Sequence, residues 1–430
     1  MAAKPTLSAK IKPLPVFDNL SYLDNPFQLK RFDAGPFILA DLSSSGELDP
    51  GLANDEFEYA WKFIYSYNGS SATFNVYRRE TERLLQWSWL VHRKNVLALK
   101  REDIESYIHF CQTPPKHWIG TKNVGRFKSK NGQRIANPDW RPFVASVSKL
   151  DNKKGLSPDI KDFELSKASV QSIFAVLSSF FNFLIQEQLI EANPVLLIRQ
   201  KSKFMVKSQQ SAPVRRISNL QWDYVIETVE LMAADEPEIH ERSLFILNCL
   251  LGMYLRISEL VADERSSPSM GDFQRDSDGN WWLHVIGKGN KSRKITVSDE
   301  MIAALKRYRS FLNLPAMPTL GEHTPLVAKQ KGKGPVTSTR QIRSIVQLCF
   351  DNSYQRMKND GLAEDAEDLK LATVHWLRHT GISEDVKTRP REHVRDDAGH
   401  SSMQTTDRYI ESDSRERHLS GRKKKLKELD

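Results

Sequence analysis

Cysteine is scarce in this 430-residue chain: the three present, Cys111, Cys249 and Cys349, lie far apart, with no CxxC and no Cys/His ligand spacing. That argues against a disulfide framework and a structural zinc site and fits a reducing compartment. Long apolar runs are missing as well. The most apolar stretch, Ser243 to Leu255, is interrupted by Asn248 and Gly252 and falls short of the roughly 20 residues a membrane-spanning helix needs. The opening MAAKPTLSAKIKPLP holds no apolar signal core. No internal repeat is found, and no carboxylate cluster of the kind Mg²⁺ sites use, so a metal nuclease has little to work with. A soluble, cytoplasmic chain without membrane contact or metal is expected.

Positive charge is what the chain has. There are 63 Lys and Arg against 54 Asp and Glu, a formal charge of +9 and a pI near 9.2, which favours a polyanionic partner. The first 70 residues run the other way, with nine acidic and six basic side chains, so the positive charge belongs to the body. At this length a single core is also unlikely to suffice, because cores stop growing near roughly 250 to 300 residues.

The pattern along the chain predicts a multidomain, mainly α protein. Residues 1–70 mix prolines, aromatics and acids, with one helix expected from Asn54 to Tyr67 and no assignable role. From 71 to 198 helices dominate: one runs from the SYNGSSAT break to about His92 with a Phe74, Tyr77, Thr81, Leu84, Ser88, Val91 stripe. Another follows at LKREDIESYIHF, and a third spans Ser166 to Gln188, with Val170, Ile173, Phe174, Leu177, Phe180, Phe181 and Leu184 on one face. Between them, about 113–140, lies an insertion rich in Gly, Pro and Asn that reads as a long basic loop carrying Lys122, Arg126, Lys128 and Lys130. Residues 199–216, with Lys201, Lys203, Arg215 and Arg216 and no acid, read as a basic linker whose cations suit phosphates. Both basic segments also admit a plain reading as solvated connections. From 217 to 411 helices are joined by a hairpin: Trp281 to Ile286 alternates, GKGNK turns, and Lys294 onward resumes a strand. This second domain is mixed α+β with a small antiparallel sheet, and residues 412–430 form a basic tail.

Four segments of that domain could carry phosphodiester chemistry. Without a metal, charge developing on the non-bridging oxygens calls for guanidinium forks, together with a nucleophile and a general acid. Arg256 ends an apolar helix in LLGMYLRISELVA with Glu259 three residues on. Lys288 sits between Gly287 and Gly289 on the hairpin turn, where an ammonium of lowered pKa could protonate a leaving oxygen. His375 and Arg378 stand at i and i+3 in VHWLRHT. In GHSSMQTTDRYIE, His400 follows Gly399, Ser401 or Thr405 can cap a helix, and Tyr409 comes nine residues after His400. Singly, each has an ordinary structural explanation: a buried ion pair, a solvated turn, a chance HxxR, a packed tyrosine.

Their ordered combination resembles the catalytic set of the tyrosine recombinases, the phage integrase family. The resemblance covers roughly 71–411: residues 72–187 look like the helical core-binding domain and 217–411 like the catalytic domain. It implies that Tyr409 attacks the scissile phosphate to give a 3′-phosphotyrosine and a free 5′-hydroxyl, with no cofactor consumed. Arg256 and Arg378 would hold the non-bridging oxygens, Lys288 protonate the leaving oxygen, His375 assist proton transfer, His400 add a phosphate hydrogen bond and Glu259 orient Arg256. The implied partners are double-stranded DNA and a homotetramer on two DNA sites, with accessory recombination proteins and a nucleoid-associated setting. Two departures stand out. The family's apolar helix pair between the second arginine and Gly-His is replaced by the polar GISEDVKTRPREHVRDDA, and its leucine before Gly399 is Ala398. Strand relaxation of the type IB topoisomerase kind, and DNA binding without cleavage on the same scaffold, are the alternatives.

Overall fold

The computed structural model describes residues 12–23, 50–130, 133–198, 201–204, 216–287, 289–410 and 421–422, and its elements fall into two units, residues 1–211 and 212–430. Each unit has a hydrophobic core of its own.

The first unit is built on α1 (Pro50–Tyr65), α2 (Ser71–Trp87), α3 (Arg101–Gln112) and α4 (Lys167–Gln186). Serines set two of the starts: Ser70 Oγ accepts from Thr73 N and Ser166 Oγ from Ser169 N. α4 is long and apolar enough to cross a bilayer by length and composition, but the periodic face from Val170 to Leu184 is spent on the core, against Phe63, Phe74 and Ile108. α2 is buried on more than its apolar stripe: Arg78, Glu80, Glu82 and Arg83 are all inside.

The reason lies in two segments whose placement differs from the sequence expectation. Residues 12–19 are not a separate extension; Val16 and Phe17 enter the core, and α1 contributes Ala60, Phe63 and Ile64. Glu82 accepts from the backbone nitrogens of Val16 and Phe17, and Arg78 donates to Asn19 Oδ1 at 2.9 Å. The basic insertion is not a long loop either. It folds into four short strands, β1 (Ile119–Gly120), β2 (Phe127–Lys130), β3 (Gln133–Ala136) and β4 (Phe143–Val144). β1 pairs in parallel with β4, and β2 and β3 form a hairpin in which Phe127 faces Ala136 and Lys130 faces Gln133. Buried Trp118, Phe127, Trp140 and Phe143 anchor it. So do two ionic ties: Arg126 to Glu82, and Arg134 to Asp18 through two bonds of 2.6 and 2.9 Å. Buried carboxylates persist only with such partners, and here the insertion supplies them.

The second unit opens with α5 (Asn219–Asp235), started by a reciprocal Ser218/Gln221 cap, and α6 (Pro237–Gly252). Three antiparallel strands follow, β5 (Phe273–Arg275), β6 (Trp281–Ile286) and β7 (Ser292–Thr296), in that spatial order, with Leu283 opposite Ile295 and Val285 opposite Arg293. Then come α7 (Asp299–Phe311), α8 (Thr339–Asn359), α9 (Ala363–Leu371), α10 (Val374–Thr388), α11 (Arg391–Ala398) and α12 (Met403–Ile410). α6 packs against α5, α7, α8 and α10, and Leu247, Leu250, Leu283, Ile295, Phe350 and Leu377 share its core.

Candidate active site

Three arginines from three elements donate to three consecutive backbone carbonyls. Arg293 Nε on β7 reaches Asp397 O at 2.9 Å, Arg378 Nη2 on α10 reaches Ala398 O at 2.5 Å, and Arg256 Nη2 reaches Gly399 O at 3.2 Å. His400 comes next in the chain. Arg256 does not sit within an apolar helix, as the sequence suggested: α6 stops at Gly252, and Arg256 follows in extended backbone ahead of a short turn, Ile257–Glu259, with its side chain partly exposed. The apolar stretch buries up to Leu255 and then releases the cation.

Glu259 is the carboxylate beneath these guanidinium groups. Its two oxygens each accept from Arg293 at 2.8 Å, and it also takes Arg256 Nη1 at 3.0 Å and the Arg256 backbone nitrogen at 2.8 Å. Burial pushes its pKa up, but the hydrogen bonds and charge of Arg293 and then those of Arg256 outweigh burial and hold it below the usual carboxylate value. One buried anion thus orders two of three cations, and the cluster keeps a positive surplus.

His400 carries the opposite shift. Burial first, then the charges of Arg378, Arg256, Arg293 and His379, lower its pKa to about 4, so the ring is neutral at physiological pH. Its Nε2 lies 3.4 Å from Arg378 Nη2 and its Nδ1 lies 2.9 Å from Thr406 Oγ1 on α12. His375, exposed on α10, meets His379 edge to face with ring centroids 4.5 Å apart. Arg378 itself is buried and also donates to Tyr254 O.

Two expected residues are described only in part or not at all. Lys288 lies outside the described residues, yet the turn leading to it starts at the site: a Cβ on Gly287 would come within 3.2 Å of Glu259 Oε1 and 3.1 Å of Arg293 Nη1. Tyr409 belongs to α12, which packs on α10 and α11, while its side chain lies outside the described residues. The residue before α12 is Ser402, not Ser401 or Thr405, and its hydroxyl meets that of Thr405 at 3.2 Å.

The polar stretch between Arg378 and Gly399 packs through ions. Arg389 Nη2 donates to Asp397 Oδ2 at 2.6 Å and Nη1 to Asp385 Oδ2 at 3.1 Å, Tyr254 donates its hydroxyl to Asp385, and Asp397 Oδ1 accepts from Thr296 N at 3.2 Å. Ala398 is fully buried in a small cluster with Tyr254, Ile382 and Val394.

The basic residues of the first unit divide. Lys122, Lys128 and Lys130 are exposed on and beside the hairpin. Arg126 is turned inward onto Glu82 and over the Trp140 ring at 4.5 Å, unlike those three exposed lysines. Lys203 is exposed but pairs with Glu105 at 2.8 Å. Arg216 is half-buried; Arg215 and the side chain of Lys201 lie outside the described residues.

Sequence reading missed Arg293, Asp397, Arg389 and Thr406. Arg293 had a signal: it shares the inward face of β7 with Ile295, two residues on, where a cation needs a partner. The others depend on partners that folding brings together. Converging guanidinium groups beside a neutral imidazole suit an oxyanion with several acceptor oxygens, a phosphodiester above all.

No protein-family model matches the chain. It is 25% identical to the tyrosine recombinase XerC of Chlorobaculum parvum over 302 residues, covering 66% of this chain and 77% of that protein. To the tyrosine recombinase XerC of Leptospira interrogans it is 26% identical over 288 residues, covering 66% of this chain and 78% of that protein. Among solved structures, the XerH site-specific recombinase bound to palindromic difH substrate aligns with a TM-score of 0.50 at 14% identity, over 90% of this chain and 93% of that one.

Proposed function

From the premise that the chain belongs to the tyrosine recombinases, we propose that it cuts and rejoins DNA through a phosphotyrosine formed on Tyr409 and exchanges strands between two duplexes. The observation that carries this reading is the convergence of Arg256, Arg293 and Arg378 on the 397–399 carbonyls beside His400, just ahead of the helix that contains Tyr409.

The step balances without a cofactor. Tyr409 Oη bonds to phosphorus, the bond to the 5′ oxygen breaks, the phenolic proton passes towards His375, and Lys288 gives a proton to the departing 5′ oxygen. Arg256 and Arg378 neutralise the non-bridging oxygens, and Glu259 fixes Arg256 through the bond at 3.0 Å. The phosphotyrosine retains the phosphodiester bond energy, so the 5′-hydroxyl of a second duplex can reverse the step and join new strands. Strand exchange between two sites calls for a homotetramer. Lys122, Lys128 and Lys130 would lie along phosphates flanking the cut, with the cytoplasmic nucleoid as the setting.

The experiment is direct. The full-length protein is incubated with fragmented genomic DNA, the mixture is denatured, and DNA ends attached to protein are mapped. A nicked suicide duplex built on those ends then traps the covalent adduct. Wild type is expected to form it and Tyr409→Phe to form none while still binding the duplex. An adduct that survives Tyr409→Phe overturns the assignment, and products joining two duplexes separate recombination from relaxation of one strand.

A further inference from the structure

The hydroxyl of Thr406 ties the imidazole of the site to the helix that carries the nucleophile. Thr406 is fully buried on α12, three residues before Tyr409. Its Oγ1 lies 2.9 Å from His400 Nδ1, while the other ring nitrogen, Nε2, faces Arg378 Nη2 at 3.4 Å. A hydroxyl can donate or accept, so its bond to Nδ1 holds the ring in place and leaves Nε2 on the side of the arginines.

We propose that Thr406 is a positioning residue of the cleavage reaction: its hydroxyl holds the His400 ring through Nδ1, with Nε2 facing the side of Arg378 where a phosphate would sit, and in doing so docks α12 against the cationic cluster. The inference rests on the reading that Tyr409 is the nucleophile and His400 a phosphate partner. Positions i and i+3 of a helix are neighbours, so anchoring Thr406 restrains the turn of α12 that bears Tyr409. The 397–400 segment is itself held by Arg293, Arg378 and Arg256, so the bond joins α12 to a segment fixed at three carbonyls. A displacement of about 1 Å at such a point costs on the order of 100-fold in rate.

Two substitutions separate this role from simple packing. Thr406→Val keeps the shape and removes the hydroxyl; Thr406→Ser keeps the hydroxyl and removes a methyl group. On the nicked suicide duplex, in single turnover with saturating protein, Thr406→Val should slow adduct formation by about 10-fold or more at unchanged DNA affinity, and Thr406→Ser should stay near wild type. In a His400→Ala background, Thr406→Val should cost nothing further, because it acts through a ring no longer present. The reverse ranking, Ser slow and Val near wild type, would mean packing alone and overturns the proposal, as would independent, additive losses with His400→Ala. Spectra of protein carrying ¹⁵N-histidine give a readout free of activity: the Nδ1 resonance of His400 should lie where a hydrogen-bonded nitrogen lies in wild type and in Thr406→Ser, and move away from it in Thr406→Val. A wild type that forms no adduct, yet shows that resonance and its shift in Thr406→Val, indicts the Tyr409 chemistry and spares the Thr406 bond; a resonance unmoved by Thr406→Val sinks the bond whatever the activity.

Discussion

At Gly399 a single hydrogen atom decides whether the arginine cluster can form. The residue ends α11 with φ +65, a left-handed conformation that side chains disfavour, and a Cβ there would come within 2.7 Å of Arg293 Cδ and 3.1 Å of its Nε. Arg293 cannot swing aside cheaply, because Glu259 holds both its terminal nitrogens at 2.8 Å. Gly399→Ala should therefore destabilise the protein by roughly 1 to 3 kcal/mol and lower adduct formation further than that loss explains. Denaturant unfolding and single-turnover cleavage measure the two effects, and wild-type values in both would show that the loop relaxes freely. Residues of this kind mark how far the sequence can be read. Arg256, Arg378 and His400, which the fold brings together, could be singled out because each belongs to a short word with local order. Thr406 could not, because its importance comes from one hydrogen bond formed only after α12 folds back on His400.

The elements were legible where the signal is local and hidden where it is not. α2 and α4 begin at Ser70 and Ser166, whose hydroxyls accept the first free backbone N–H groups, and apolar spacing then carries the helix. The β2–β3 hairpin gave no comparable signal, because FKSK and QRIA are mostly polar and the ties of Arg126 and Arg134 reach Glu82 and Asp18, 44 and 116 residues away. The polar run from Gly381 to Ala398 was likewise opaque, since its packing is the Arg389, Asp385, Asp397 and Thr296 network. The hairpin's two classes of cation lead to opposite expectations. Replacing Lys122, Lys128 and Lys130 by glutamine should leave stability unchanged and flatten the logarithmic salt dependence of DNA binding by about 0.9 for each phosphate no longer neutralised. Titrations of duplex DNA at several salt concentrations measure that slope. An unchanged slope would remove the hairpin from the DNA interface.

For the molecule as a whole, separate cores mean that stability is set twice. Glu56 offers a way to move one setting alone, because it lies in the first unit, buried, with Trp89 Nε1 donating to it at 2.7 Å and Leu97 N at 3.3 Å. Burial raises its pKa from 4.5 to about 7, and the bonds from Trp89, Leu97 and Val96 only partly offset that rise. The sign follows from linkage: the folded unit holds a proton that the unfolded chain releases at lower pH, so its stabilising effect is complete below pH 4.5 and is lost as pH climbs through 7. At the upper end the loss amounts to about 3 kcal/mol. Glu56→Gln keeps an acceptor for Trp89 and has no proton to lose, so the first unit should become more stable than wild type at pH 8 and less so at pH 5. Calorimetry across that range should show two transitions, with only the first unit's transition changing its pH dependence. Adduct formation at pH 8 should stay at the wild-type rate, since Arg256, Arg378, His400 and Tyr409 all belong to the other unit. A variant whose two transitions shift together would mean that the units share one cooperative structure, and a variant that loses stability at pH 8 would mean that Glu56 is ionised and needed as such.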